Sequence, residues 1–351
     1  MNSIDGMGAS AMPIRLLPVG TALPGPPVET ATLARYLGLP AGQGRHLDDA
    51  LGIRTRHLCR DLDGGPPHAT LADLATTAAQ RALAGAGMTG GDIGAIVMST
   101  ATPDSLMPAT VNLVADRLGI DRVPSYQIQA GATGALQAIV VAAQMLSSGR
   151  QRTVLVLAGD VSTKQLDVPA DPGEPPASDG LDVASFGDGA AAAVVTSLDL
   201  PGAYLLRQVT VRRGTTAHPA GHTSAWLGAA RRGDRGPVVA YDRQLIAGVV
   251  PKLAGDRMTG LLDGVGWRTG GLARLLPPQL PGRLASVTAE HLAVPVGRCD
   301  SLIEEIGNAA NCLPLFQLAR ACARTGPGDQ VAGVAIDPSS WATAGFALQR
   351  I

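Results

Sequence analysis

The chain has 351 residues, of which 46% are hydrophobic, 16% are charged and 3% are aromatic, and its formal net charge is −1. This composition excludes wholesale disorder, which requires low hydrophobicity and high charge. A nearly neutral chain also argues against bulk attraction to nucleic acids or membrane surfaces. The 44 glycines and 26 prolines follow no three-residue period, which excludes a collagen-like fold. No apolar run reaches about 18 residues, so we expect no transmembrane helix.

The cysteines indicate the compartment. Cys59, Cys299, Cys312 and Cys322 form no CxxC pair, so no zinc or redox motif is visible. The beginning of the chain lacks the continuous apolar segment of a signal peptide. We therefore expect a cytoplasmic protein whose thiols are reduced and mostly buried.

The first half of the chain alternates short apolar runs with long Ala-rich runs. A helix is predicted over Leu71–Gly87, because Thr70 and Asp73 resemble a capping box. A second helix over Gly134–Leu146 is apolar on nearly every face, which indicates a helix buried on all sides. Buried strands are predicted at Ala95–Thr100, Ser125–Gln129, Thr153–Leu157 (ended by Gly159) and Ala190–Thr196.

The second half repeats this rhythm less clearly. Its predicted elements are a strand at Tyr204–Arg212, a helix over Tyr241–Leu262 with a break at Pro251, a strand at Leu272–Leu276, helices over Ser301–Ile306 and Cys312–Arg324, and closing strands at Val331–Ile336 and Ala344–Arg350. Alternating strands and helices predict an α/β architecture. The shared rhythm suggests two similar halves, 1–200 and 201–351. Residues 168–182 read as a loop, and the first dozen residues as a frayed end.

One segment has the shape of a nucleophile site. In Gln127–Leu136 a strand leads through a tight glycine turn into the buried helix. A side chain at such a helix start lies beside unpaired backbone N–H groups at the positive end of the dipole, which lowers the pKa of a thiol and activates it. The residue at that position is Ala132. Alternatively, Gly131 and Gly134 serve only the turn and the helix packing.

Six motifs in chain order resemble those of the ketosynthase III group of the thiolase superfamily. They are Gly52–His57, Ser99–Asp104 with Pro108, Gly131–Gly134, Phe186–Ala192, Ile306–Asn311 and Ala344–Arg350. The resemblance covers nearly the whole chain. It implies a five-layered α-β-α-β-α thiolase-like fold of two similar halves, a homodimer, and an active site at the end of a narrow tunnel.

The departures from this family concern its catalytic residues. Condensing members use Cys, His and Asn, whose positions here carry Ala132, Pro278 and Asn308. Decarboxylative condensation needs two donors to stabilise an enolate, and the loss of the histidine removes one of them. The residues at 132 and 278 therefore argue against ordinary β-ketoacyl synthesis.

The chain is more similar to an acyltransferase branch of this family from actinobacterial antibiotic pathways, in the segments Pro277–Leu280 and Ile336–Trp341. That resemblance implies transfer of an acyl group, expected to be of polyketide origin, from an acyl carrier protein to another carrier, a sugar, a hydroxyl or an amine. It makes Asp337 the candidate that orients or activates a base, with Asn308 or Asn311 beside it. It implies no metal or redox cofactor, since the donor brings phosphopantetheine or coenzyme A.

The identity of the base stays open, because no histidine is obvious beside these residues. His291 could approach, but a surface or structural role is favoured for it. Two explanations for Ala132 also compete. Either a native cysteine has been changed to alanine to stop turnover, which the otherwise intact elbow favours, or the natural protein lacks the nucleophile. A condensing ketosynthase III and an inactive carrier-protein scaffold are the alternative functions.

Several further residues are candidates for binding. Arg54 could face the pantetheine entrance, or it could be a solvated surface charge. Trp226 and Trp341 could line an acyl pocket, although core packing is equally compatible with both. A locally basic run could dock the acidic carrier protein; it consists of Arg231, Arg232 and Arg235.

Overall fold

The computed structural model describes residues 12–36, 48–62, 66–165, 184–214, 217–224 and 239–351. Its strands are β1 (Arg15–Leu16), β2 (Gly20–Ala22), β3 (Val28–Glu29), β4 (Thr55–Arg56), β5 (Ala95–Ser99), β6 (Ser125–Ile128), β7 (Thr153–Asp160), β8 (Gly189–Thr196), β9 (Tyr204–Arg212), β10 (His222–Ser224), β11 (Val239–Tyr241), β12 (Arg274–Leu276), β13 (Gln330–Asp337) and β14 (Ala342–Arg350). Its helices are α1 (Thr30–Tyr36), α2 (Leu71–Ala86), α3 (Thr110–Leu118), α4 (Gly134–Ser147), α5 (Arg243–Val265), α6 (Leu284–His291), α7 (Ile303–Ile306) and α8 (Leu313–Cys322).

The two halves of the chain build their strands in the same order. In the first half the order is β6-β5-β7-β8-β1, with β5 parallel to β6 and β7, and β8 antiparallel to β7 and β1. In the second half it is β12-β13-β14-β9, and a parallel bridge from Leu275 to Cys299 adds a position beyond β12. We number the strands of each set along the chain and count the bridge at Cys299 as a strand. In both sets the strands then lie side by side in the order third, second, fourth, fifth, first. The two sets join where β1 pairs with β9.

Three apolar clusters divide the molecule into layers. On one face of the first set of strands, Ile96 and Met98 of β5 pack with α2 and α3. On the other face, Val97 packs with α4 and α8, which also contact the second set of strands. The far face of that second set is covered by α5 and α6. The result is the predicted α-β-α-β-α order, and the α/β thiolase-like fold is confirmed.

Most predicted element boundaries agree with the structure to within a few residues. The Thr70 hydroxyl and the Asp73 side chain form the expected capping box at the start of α2. The break predicted at Pro251 is wrong, because α5 continues through it to Val265. The end predicted at Gly159 is also wrong. Strand β7 continues to Asp160, and Gly159 is needed because a Cβ there would lie 2.9 Å from the Cβ of Ala190 on β8.

Other predictions concern the ends, the loops and the thiols. The predictions of a loop at 168–182 and of a frayed end over the first dozen residues fall outside the described residues, apart from Met12. All four cysteines are free, and Cys59 and Cys312 are buried. Within the described ranges, no helix combines the length and apolarity needed to span a membrane.

Candidate active site

The glycine turn between β6 and α4 has the predicted elbow shape. The Gly134 N–H donates to the Gly131 carbonyl at 2.8 Å, so the chain reverses just before the helix begins. A Cβ on Gly134 would overlap the amide oxygen of Asn311 and crowd the Ser99 hydroxyl. Glycine at this position is therefore required by packing, and Ala132 is left at the top of the turn.

Asn311 holds this elbow in place through side-chain hydrogen bonds, and it does not line the cavity described next. Its amide donates to the Ala130 carbonyl at 2.6 Å and to Asp160 at 2.7 Å, and its oxygen accepts from Ser99 at 2.6 Å. The side chain is fully buried and its hydrogen-bonding groups are all used. The predicted substrate contact for Asn311 is thus replaced by a structural role. Burial raises the pKa of the Asp160 carboxyl that shares this network.

A small cavity of about 50 Å³ opens beside Ala132. It is lined by the elbow, by the loop after β5, by the ends of β7, β10, β11 and β13, and by the segment that follows α7; the lining residues that matter below are Thr102, Ala132, Asp160, Ser162, His222, Tyr241, Leu280, Asn308 and Asp337. Asn308 and Asp337 thus line one cavity with Ala132, although the three residues are far apart in sequence.

Asp337 lies directly against the elbow. It ends β13, is 4% exposed, and accepts hydrogen bonds from the backbone N–H and the hydroxyl of Ser339 at 3.0 and 2.7 Å. A Cβ on Gly131 would lie 3.0 Å from both carboxylate oxygens of Asp337. The carboxylate therefore sits within reach of any group held above Ala132.

His222 is the cavity residue that sequence reasoning missed. Strand β10 pairs with β11 so that His222 is opposite Tyr241, and the two rings stack at 4.2 Å with an interplanar angle of 2°. Its Nε2 is buried and has no hydrogen-bond partner within the part of the chain that the structure describes. Burial lowers the pKa of His222, and the Asp337 carboxylate opposes that shift. The imidazole is therefore neutral near pH 7 and able to accept a proton.

The segment before β10 brings His222 to Asp337. The Gly221 N–H donates to the carbonyl of Pro338 at 3.0 Å, which fixes the segment beside the end of β13. The Trp341 indole donates to the carbonyl of Pro219 at 2.7 Å, and a Cβ on Gly221 would lie 3.0 Å from that ring. Trp341 is 3% exposed and holds this segment; it does not line the acyl cavity that was predicted for it.

Asn308 occupies the position predicted for the catalytic asparagine. It is 3% exposed, and its amide donates to the Tyr241 hydroxyl at 3.0 Å. Since Tyr241 stacks on His222, the asparagine, the tyrosine and the histidine form one continuous wall of the cavity.

The segment Pro277–Leu280 supplies no histidine to the cavity. The Gln279 side-chain oxygen accepts from the backbone N–H groups of Leu302 and Ile303 at 2.7 and 3.1 Å, so it fixes the start of α7. Leu280 and Tyr241 line both this cavity and an outer one of about 280 Å³. The two residues form the boundary between the reaction cavity and the outer cavity.

The other candidates lie elsewhere. Arg54 is 69% exposed and forms an ion pair with Glu304 at 2.7 Å. His291 is exposed at the end of α6 against Gly255. Trp226 and the basic run lie outside the described residues; that run is Arg231, Arg232 and Arg235.

Two further buried residues, Asp188 and Cys312, have structural roles. Asp188 accepts from the backbone N–H groups of Cys59 and Thr163 at 2.7 and 3.1 Å, so it joins separate segments. Cys312 is fully buried, and burial raises the pKa of its thiol well above its ordinary value, which makes it unreactive. Among the described residues, no group of three or more His, Cys, Asp or Glu side chains could hold a metal ion.

A duplicated α/β fold with a glycine elbow at the start of its buried central helix defines a thiolase-like protein. Residues 126–211 match the family model for 3-oxoacyl-[acyl-carrier-protein] synthase III. The chain is 33% identical over 270 residues to the β-ketoacyl-[acyl-carrier-protein] synthase III of Pseudomonas aeruginosa, covering 75% of each chain. It is 30% identical over 321 residues to that of Sphingopyxis alaskensis, covering 89% of this chain and 91% of the relative. The chain belongs to the β-ketoacyl-[acyl-carrier-protein] synthase III family.

Solved structures agree with this assignment. AbyA1, named a tetronic acid condensing enzyme, is 41% identical, with a TM-score of 0.89 over 96% of this chain and 99% of its own. The synthase III FabH from Pseudomonas aeruginosa PAO1 is 25% identical, with a TM-score of 0.81 over 96% of this chain and 98% of its own. The predicted ketosynthase III-like family is confirmed.

Proposed function

We propose that this chain is an acyltransferase of natural-product biosynthesis. It would move an acyl group from the thioester of an acyl carrier protein to a second carrier, a sugar, a hydroxyl or an amine. The observation that carries the proposal is a single cavity that combines Ala132 at the elbow with a neutral His222 beside Asp337. Such a site has a base for simple acyl transfer, but it lacks the histidine that would help to stabilise an enolate.

In the proposed step, His222 is the general base. It takes the proton of the acceptor O–H or N–H as that heteroatom attacks the thioester carbonyl. The Asn308 amide, which donates to the Tyr241 hydroxyl in the free protein, is the donor for the developing oxyanion. When the C–S bond breaks, the imidazolium gives its proton to the departing pantetheine thiolate. Asp337 stabilises the transient imidazolium, because its carboxylate favours the protonated ring.

Position 132 decides whether the acyl group is first held covalently. With alanine at the elbow, the transfer is direct from donor to acceptor. A cysteine at the same position would receive the acyl group as a thioester before the acceptor attacks. The Ala132→Cys protein tests that route by intact-mass measurement after incubation with an acyl thioester. An adduct on the new thiol supports the covalent route, and the absence of any adduct contradicts it.

The 41% identity to AbyA1 favours a second candidate, a condensation that forms a tetronic acid ring. There the carbon between the two carbonyl groups of a 3-oxoacyl thioester would lose its proton to His222 and attack the carbonyl of a 2-hydroxyacyl thioester, whose pantetheine thiolate would leave and take up that proton. Attack of the 2-hydroxyl on the remaining thioester would then close the ring and release the second thiol. Neither decarboxylation nor an enolate of malonate is required. The two candidates differ in their products: the first joins acyl carbon to oxygen, nitrogen or sulfur, and the second forms a carbon–carbon bond.

The decisive experiment compares two matched histidine substitutions. A carrier-bound acyl thioester is mixed with an acceptor, and the transferred product is quantified by mass spectrometry. We expect His222→Gln to lower kcat by about 10²- to 10⁴-fold, as for loss of a general base. His291→Gln, on the exposed end of α6, leaves the rate unchanged. Equal activity of the His222→Gln protein would contradict the proposal.

The donor and the assembly complete the proposed function. The donor's phosphopantetheine arm would enter through the outer cavity, and no metal or redox cofactor is required by the step above. The expected homodimer is supported by β6, which is the last strand of the sheet among the described residues and whose Tyr126 is 47% exposed. Light scattering at micromolar concentration tests it, and a monomer would contradict it.

A further inference from the structure

Most polar side chains around the reaction cavity are already hydrogen-bonded to the protein. The Thr102 hydroxyl donates to Asp160 at 3.1 Å and accepts from the Val161 N–H at 2.8 Å. Asp160 also accepts from Asn311. The Asn308 amide reaches Tyr241. The Thr102 hydroxyl and the Asp160 carboxylate are thus already bonded to the protein, while the Asn308 amide keeps one hydrogen for the oxyanion of the proposed step.

Ser162 differs from them. It lines the same cavity and is 4% exposed, yet its hydroxyl makes no hydrogen bond with any described residue. Its two neighbours along the chain are both fixed: the Thr163 N–H donates to Asp188 at 3.1 Å, and the Lys164 ammonium donates to Asp104 at 2.9 Å. The backbone at Ser162 is therefore held in place, while its hydroxyl is left unpaired inside the cavity.

The Ser162 hydroxyl lines the cavity without a partner among the described residues, so a ligand that fills the cavity and offers it no hydrogen-bonding atom leaves it unsatisfied, whereas a ligand that offers one binds better. We propose that Ser162 is a specificity-determining residue that binds an oxygen or nitrogen atom on the transferred acyl group. The preferred donor is then a short acyl thioester with a hydroxyl or oxo substituent, and a plain alkyl thioester is a poor one. This inference rests on the proposed acyl transfer and adds the substrate class to it.

The test compares three donors of equal length on pantetheine: butyryl, 3-hydroxybutyryl and 3-oxobutyryl. Transfer to one common acceptor is measured with the unchanged chain and with Ser162→Ala, Ser162→Thr and Ser147→Ala. Ser147 lies at the far end of α4, where its hydroxyl bonds the Ala143 carbonyl, so it is a matched control. We expect the unchanged chain to prefer one of the oxygenated donors in kcat/KM by about tenfold or more.

Ser162→Ala should lose most of that preference while keeping its rate with butyryl, and Ser162→Thr, which retains the hydroxyl, should recover part of it. Ser147→Ala should behave as the unchanged chain. An equal loss with all three donors would assign Ser162 a structural role, and an unchanged preference would exclude the contact. An acyl adduct on Ser162 in intact-mass spectra would make it a nucleophile. Each of these three results overturns the proposal.

The outcome also distinguishes this inference from the proposed function. If no donor is transferred to any acceptor, the acyltransferase proposal fails. Ser162 is then tested by calorimetric binding of stable amide analogues, butyryl-pantetheine amide and 3-hydroxybutyryl-pantetheine amide. Tighter binding of the hydroxylated analogue that disappears in Ser162→Ala supports the contact, and equal binding of the two analogues overturns it.

Discussion

Replacing Gly134 by alanine should break the hydrogen bonds that hold the elbow in place. The new Cβ would overlap the amide oxygen of Asn311 and lie 2.8 Å from its Cγ, so the asparagine must move. Moving it breaks three side-chain hydrogen bonds, to Ser99, to the Ala130 carbonyl and to Asp160. At about 1 kcal/mol for each of the two neutral bonds and about 1.5–3 kcal/mol for the one to the carboxylate, the loss is about 3.5–5 kcal/mol. Alanine recovers about 1 kcal/mol of helix propensity, which leaves a net destabilisation of about 2.5–4 kcal/mol.

Urea unfolding followed by circular dichroism measures this change. The matched control is Gly248→Ala on α5, where a Cβ would meet no atom within 4 Å. It should stabilise the protein by about 0.5–1 kcal/mol, since alanine favours the helix without any clash. If Gly134→Ala unfolds at the same urea concentration as the unchanged chain, then Asn311 does not lock the elbow, and the packing requirement for glycine is refuted.

Three further predictions concern His222 and the residues that place it. The acid limb of the pH–rate profile should lie below pH 6.5, the ordinary pKa of histidine, because burial lowers the pKa of His222 and only its neutral form accepts a proton; a limb above 6.5 would contradict this assignment. Asp337→Asn should move that limb to still lower pH and reduce the plateau rate, because the carboxylate raises the pKa of His222 and stabilises its protonated form; an upward shift in the same titration would contradict the pairing. Trp341→Phe removes the hydrogen bond to Pro219, so it should cost about 1 kcal/mol in urea unfolding and lower kcat more than it changes KM; an altered KM with unchanged kcat would place Trp341 in substrate binding.

Much of the fold could be predicted from the sequence, because its signals are local. The capping box at Thr70 lies within one element, and that prediction is confirmed. The apolarity of α4 likewise identifies a helix, but the predicted burial on all sides is wrong, because a stripe of the helix is half-buried or exposed, namely Gln137, Val140, Val141 and Gln144. The break at Pro251 could not be judged locally. A helix that packs along the sheet through Val250, Ala254 and Met258 retains enough tertiary contact to continue past a proline.

The site was predictable only where a family motif marks it. Ala132, Asn308 and Asp337 stand in such motifs, and the structure brings all three to one cavity. His222 stands in none, and no pattern in its neighbourhood reveals that β10 will pair with a strand 17 residues further along the chain. Asn311 and Trp341 were predicted to bind substrate because they stand close to site residues in the chain. Their side chains instead form hydrogen bonds that hold the elbow and the segment before β10 in place.

The position of His222 explains how a base can return to a site whose usual histidine is proline. The segment Pro277–Leu280 is committed to structure, because Gln279 holds the start of α7 and the Pro277 carbonyl accepts from the buried Gln317 amide at 2.8 Å. A histidine introduced at 278 would therefore not by itself restore the lost chemistry. The His222 imidazole instead reaches the cavity from β10, and its ring is fixed by stacking on Tyr241. A base placed there faces the carboxylate at the end of β13. His222 is therefore suited to removing a proton from an acceptor. The second hydrogen-bond donor that would stabilise a malonyl enolate is not replaced by it.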